Sequence, residues 1–276
     1  MKKFFKWLGI ISGILAALGI VFVSVGLIRG GKEIVKSDLL NNRLAVQFDQ
    51  WFDEEDENMS SISNGSIMKI DQQQYGIHSL TVRAKYGDIN IKQWNETGFG
   101  IENKAKRLDV KYEVVDGVLN ISVSGKFGIT NNSGKINIYI PNEQLSSTEL
   151  FVGAGELECN GMTADNLKIE VGAGEGKIDY SQFGQCDIDV GVGELDIENT
   201  TVNSMNVDCG MGEVKAELNN SYNDFDYTLK VGAGEIELGT QKYEGISNSI
   251  NLSNQTGRTM DIDCGMGEVS IKFNQM

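Results

Sequence analysis

Histidine and proline each occur once in the chain, and arginine is nearly absent from its second half, where Arg258 is the only one after residue 150. With His78 alone and no G-x-S-x-G segment, a histidine-based hydrolytic triad has no support. The four cysteines, Cys159, Cys186, Cys209 and Cys264, include no C-x-x-C pair and no Cys/His cluster at zinc-site spacing. Residues 1–32 contain no acid but hold Lys2, Lys3, Lys6, Arg29 and Lys32, which leaves 19 bases against 39 acids in the remainder. A surface so acidic repels phosphate backbones, so nucleic acid is excluded as a partner, whereas cations and basic partners are attracted.

What the sequence has in quantity is glycine, 33 residues of it. Together with abundant Asn, Asp, Val and Ile, and without long alternation of helical period, this composition favours many short strands joined by tight turns. Near the N-terminus, Trp7 to Ile28 is a run of 22 residues without a charge. A helix of that length crosses a hydrocarbon core of ~30 Å. Lys2, Lys3 and Lys6 precede it, so residues 1–6 are expected in the cytoplasm, residues 7–28 as a transmembrane helix and the bulk of the chain outside. Cleavage as a signal peptide after the small residues Ser24 or Gly26 is the alternative, disfavoured by the length of the run. Residues 29–65, with scattered Leu39, Leu40, Val46, Phe48 and Trp51 and the acidic run Asp53 to Glu57, read as a juxtamembrane segment that caps the strand-rich region beginning near residue 66.

Self-comparison reveals the organisation of the rest. Six copies of Gly-x-Gly-Glu begin at Gly153, Gly172, Gly191, Gly210, Gly232 and Gly265; the first four are separated by steps of 19, the later ones by 22 and 33. The longer steps imply insertions around Asn219 to Asp226 and Gly239 to Gly257. Aligned on the first glycine, Val152, Val171, Val190, Cys209, Val231 and Cys264 share a column just before the turn. Leu157, Gly176, Leu195, Val214, Ile236 and Val269 share one just after it. Alternation in a strand turns such columns inward. Each repeat is then strand, glycine corner, strand and return segment, a unit that buries its apolar face only by stacking on its neighbours.

The reading is an all-β chain with a β-solenoid of ~19-residue coils over residues 66–276. A divergent coil at Leu80, Val82 and Ala84 followed by Lys85-Tyr86-Gly87-Asp88 lies near its start. A β-sandwich would also give regular strands, but it does not explain the identity of the columns. The cysteines fall in apolar columns and read as small core residues. Cys209 and Cys264 flank Val231 in repeat order, which puts them two coils, or ~10 Å, apart in a regular stack.

Glu156, Glu175, Glu194, Glu213, Glu235 and Glu268 form one outward column. At the ~5 Å spacing of stacked strands, neighbouring carboxylates repel by ~0.8 kcal/mol in water. Three arrangements would offset this: corner N–H groups capping the carboxylates, pairing with Lys177 and Lys215 in the column two residues on, or a hard cation such as calcium held between coils. No other cofactor is indicated, and the metal question stays open at this point.

The segment GKINIYIP, Gly134 to Pro141, followed by repeats such as LKIEVGAGEGKID, resembles the putative-adhesin family of membrane-anchored bacterial proteins. The resemblance covers about residues 66–276. It implies a right-handed β-solenoid ectodomain at the cell envelope, with no catalytic residues to carry over. On it rest two expected roles, both non-enzymatic. One is an interaction module presenting its acidic surface to an envelope polymer or membrane protein; the other is an envelope-stress accessory protein acting through membrane partners. A solenoid polysaccharide lyase is the third possibility, and it requires a cleft with Lys or Arg beside acids.

Overall fold

The computed structural model describes residues 59–125, 134–244 and 248–275. The expected transmembrane helix and most of the juxtamembrane segment lie outside these, and among the described residues no helix is long and apolar enough to cross a membrane. In chain order the strands are β1 (Ser60–Ser61), β2 (Ile67–Ile70), β3 (Ser79–Gln93), β4 (Phe99–Asn103), β5 (Leu108–Val115), β6 (Val118–Gly125) and β7 (Lys135–Ile140). There follow β8 (Leu145–Asn160), β9 (Thr163–Val171), β10 (Glu175–Asp179), β11 (Gln182–Val190), β12 (Glu194–Cys209) and β13 (Glu213–Ser221). The last are β14 (Asp226–Val231), β15 (Glu235–Leu238), β16 (Gln241–Glu244), β17 (Asn248–Leu252), β18 (Thr259–Cys264) and β19 (Glu268–Gln275). One helical turn, α1 (Gln72–Tyr75), is capped by the Asp71 carboxylate, which accepts from the Gln73 and Gln74 N–H groups.

The middle of the molecule follows the repeat. Strands β8 to β13 pair in parallel and in register, so that Val152, Val171, Val190 and Cys209 lie opposite one another, as do Leu157, Gly176, Leu195 and Val214. All of these except Gly176 are core side chains exposed by no more than 2 %. Parallel pairing follows because every coil travels in the same direction around the core. The column alternation is visible as burial: in β13, Val214, Ala216 and Leu218 are buried between outward Glu213, Lys215 and Glu217.

The glycine corners stack as well as the strands. The N–H groups of Ala173, Val192 and Met211 donate to the carbonyls of Gly153, Gly172 and Gly191 at 2.9, 2.8 and 2.8 Å. The second glycine of each copy is required by this close approach: a Cβ on Gly193 would lie 2.2 Å from the Gly174 carbonyl oxygen, and one on Gly267 2.2 Å from that of Gly212. Left-handed φ is not the general reason, since among the motif glycines only Gly155 has it, at +147°.

Chain order does not hold at the two ends. Strand β18 pairs with β12 on one side and β14 on the other, and β19 likewise lies between β13 and β15. The last coil of the sequence is therefore inserted beneath the preceding one. The column before the corner runs Val190, Cys209, Cys264, Val231, which corrects the two-coil separation of the cysteines expected from sequence. The stack ends instead on β16 and β17, which pair antiparallel with β15 and β14.

The opposite end is reordered in the same manner. Strand β3 lies between β8 and the pair β6 and β7, beyond which β5 and β4 add antiparallel, followed by β1 and β2. Periodicity in a sequence states which side chains face inward but not which coil neighbours which. Loops of the inserted lengths let the chain pass over one coil at little extra entropic cost. Short antiparallel edges at both ends leave less open parallel template for another chain.

Candidate functional site: an acidic ladder beside an apolar ridge

The reordered stack lengthens the acidic column. Its sequence through the register is Lys135, Asp88, Glu156, Glu175, Glu194, Glu213, Glu268, Glu235 and Glu244. The structure thus brings all six glutamates of the motif into one row, adds Asp88 and Glu244, and places Lys135 at one end. The corner N–H groups are not free to cap these carboxylates, because they donate to carbonyls of the adjacent coil: Glu194, Glu213, Glu268 and Glu235 donate to Gly174, Gly193, Gly212 and Gly267 at 3.0–3.1 Å. The capping explanation is therefore replaced by another.

Lysines supply part of the compensation. Lys215 Nζ lies 2.7 Å from Glu213 and 3.1 Å from Glu194, and Lys242 Nζ 2.7 Å from Glu235 and 3.0 Å from Glu244. Their paired carboxylates push both ammonium groups well above the ordinary lysine value. Lys177, expected to neutralise the ladder, reaches outward to Glu198 at 2.9 Å instead. Among the described residues Glu156, Glu175 and Glu268 have no ion-pair partner. No group of three acidic, histidine or cysteine side chains converges to hold a metal ion among the described residues. Single pairs of carboxylates on neighbouring coils are all that a calcium ion would meet there.

Sequence reasoning missed the ridge beside the ladder. The middle residue of each Gly-x-Gly is the turn's apex and points to solvent, and there the stack presents Ala173, Val192, Met211, Met266 and Ala233 in a row. Val192, Met211 and Met266 are 60, 57 and 65 % exposed and belong to three successive coils. With Glu175, Glu194, Glu213 and Glu268 they line a shallow depression of about 550 Å³. The signal was available in the x column of the repeat, where alanine, valine and methionine stand in place of the polar residues usual at a turn apex.

A second depression, of about 330 Å³, places Lys215 and Lys272 among Asp196, Glu198, Glu217, Glu237 and Glu268. It is the kind of juxtaposition that a lyase would need. Lys215, however, is engaged by two carboxylates that hold its proton, the opposite of what a lysine base requires. His78 is remote in role as well: its Nδ1 is hydrogen-bonded with Ser79 Oγ at 2.9 Å, and a Cβ on Gly117 would touch its ring.

Among solved structures, a putative cell adhesion protein from Clostridium sporogenes is similar at 20% identity and a TM-score of 0.45, covering 78% of this chain and 100% of its own. A putative adhesin from Bacteroides fragilis is similar at 16% identity and a TM-score of 0.43, covering 78% and 97%. A putative lipid binding protein from Parabacteroides distasonis is similar at 19% identity and a TM-score of 0.33, covering 78% and 97%. No protein of curated function matches the sequence. The family model for the toastrack domain, DUF4097, matches residues 35–272, and the chain belongs to that family.

Proposed function

We propose that this toastrack protein is a membrane-anchored, extracytoplasmic, adhesin-like interaction module without enzymatic activity, and that its contact surface is the Gly-x-Gly-Glu edge. The observation that carries the reading is the exposed row Val192, Met211 and Met266 running alongside Glu175 and Glu268, which have no ion-pair partner among the described residues. Adjacent apolar apices exposed on a rigid, fully laddered edge gain free energy when covered. The carboxylates beside them select a partner carrying positive charge and steer its approach. An envelope polymer with amino groups or a basic segment of a membrane protein has that chemistry. The charge-free run from Trp7 to Ile28, preceded by three lysines, supports the anchor and the outward orientation.

The test uses the full chain in detergent micelles and isolated cell envelopes of its source. Retention on the envelopes should fall at least tenfold for V192S/M211S/M266S and for E175Q/E268Q, and only the loss due to the charge pair should be mimicked by raising salt. Retention of both variants at the wild-type level would sink the assignment of this edge. Calorimetry with calcium addresses the cation separately, since heat that disappears in E175Q/E268Q would make the ladder a calcium site.

A further inference from the structure

We propose that Cys209 and Cys264 are a disulfide-forming pair that fastens the inserted last coil to the stack. The two are Cα partners on parallel neighbours β12 and β18. Directly opposed residues of such strands lie about 4.8 Å apart, inside the Cα separation that a disulfide spans. No other cysteines meet. Cys159 lies opposite Ile91 and Ile178, and Cys186 opposite Leu167 and Met205.

Position in the column strengthens the assignment. Every other residue of that column in the motif coils, Val152, Val171, Val190 and Val231, is valine, and the two exceptions are next to each other only because the last coil is inserted out of order. The cysteines thus mark the junction where sequence order breaks, between coils that are distant in the chain. The Cys209 side chain points into the inserted coil, where a Cβ on Gly267 would lie 2.9 Å from its Sγ and the Glu268 carbonyl is 3.9 Å away. Cys264 Sγ bonds to the Gly267 carbonyl of its own coil at 3.2 Å, and a Cβ on Gly234 of the following coil would lie 2.9 Å from it, so bridging requires Cys264 to turn about its Cα–Cβ bond toward Cys209. The neighbouring thiol raises Cys209 above the ordinary thiol range and lowers Cys264 below it.

In the structure both are free thiols, fully buried. The exchange is therefore placed before the last coil is seated, with an external low-molecular-weight disulfide as oxidant. Cys264 thiolate attacks one sulfur of that disulfide and releases a thiolate. Cys209, giving its proton to the released thiolate, then attacks Cys264 Sγ and expels the second thiolate. Two electrons pass to the oxidant, which ends as one thiol and one thiolate, and one intrachain bond forms.

The experiment refolds the full chain from urea into detergent with oxidised and reduced glutathione, blocks free thiols with N-ethylmaleimide and maps peptides without reduction. The expected product joins the tryptic peptide ending at Lys215 to the one ending at Lys272, with fragmentation locating the bond at Cys209 rather than Cys186, and with Cys159 and Cys186 alkylated. A reductant should lower the wild-type unfolding midpoint by about 5 °C or more and leave C209V/C264V, whose valines suit the column, unmoved. Four alkylated cysteines, a different pairing, or the same response to reductant in both proteins would overturn the proposal.

Discussion

Glu213 and Glu268 are in-register neighbours on β13 and β19, although another complete Gly-x-Gly-Glu copy separates them in the chain. Glu213 is held by Lys215, while Glu268, with Glu213 on one side and Glu235 on the other, has no cation of its own among the described residues.

Removing that charge should stabilise the protein. E268Q is expected to raise stability by about 0.5 kcal/mol at low ionic strength, the size of an exposed pair interaction, and to lose the advantage near 1 M salt. Thermal unfolding of wild type and variant at two salt concentrations measures it. A destabilised E268Q at low salt would mean that the carboxylate has a favourable contact that the ladder geometry does not contain.

A corner glycine and a strand glycine differ in what they tolerate. A Cβ at Gly193 meets backbone, the Gly174 carbonyl oxygen at 2.2 Å, whereas one at Gly176 meets the Cδ1 of Leu195 at 2.8 Å, the end of a side chain that can turn away. G193A should therefore cost about 3 kcal/mol, and G176A less than about 1. Denaturant unfolding of the two variants gives the comparison, and a G193A loss no larger than that expected for G176A would show that the corners can separate without penalty.

These glycines also show what the sequence made legible. The step of 19 and the alternating columns located inward residues such as Leu195 and Val214 without a structure, because alternation is a local property of each strand. Stack order was not legible, because β18 would satisfy its inward Ile262 and Cys264 equally well at the end of the stack or inside it. The glutamates were found as a set for the first reason and misordered for the second. Their corner N–H groups, capping by which was one of three arrangements the sequence offered, bond to the next coil once corners are seen to stack. The ridge of Val192, Met211 and Met266 went unread because alternation along the strands says nothing of a turn apex, where an apolar side chain has no core to face.

An inserted last coil changes what truncation does. In a sequentially stacked solenoid, deleting residues 259–276 would remove one terminal unit. Here it removes the partner on which β14 and β15 rest and leaves β12 and β13 exposed along their edges. The buried side chains Met260, Ile262, Val269 and Ile271 go with it. The truncated chain should lose protease resistance from Asp226 onward, not only near its new end. Limited proteolysis followed by mass analysis distinguishes the two, and protection of residues 226–244 in the truncated chain would contradict the observed order.

Asp226 governs the insertion that makes this order possible. Its carboxylate accepts hydrogen bonds from Ser253 Oγ at 2.8 Å and from the N–H groups of Asn254, Gln255, Thr256 and Gly257 at 2.7, 2.8, 3.0 and 2.9 Å. These donors, Ser253 first, hold the carboxyl far below its ordinary range. Because the folded value is below the unfolded one, the stabilisation is complete above the unfolded value of about 4 and is lost as pH falls through the folded value. D226N replaces one acceptor oxygen by a donor facing N–H groups, so the 253–257 turn should open even at neutral pH. Hydrogen exchange of the amides of residues 254–257 should be slow in the wild type and fast in D226N. The acid limb of the wild-type stability curve should be shallower in the variant, because the group that titrates there has been removed. Equal exchange in the two proteins would show that the turn is held by the strands on either side and not by Asp226.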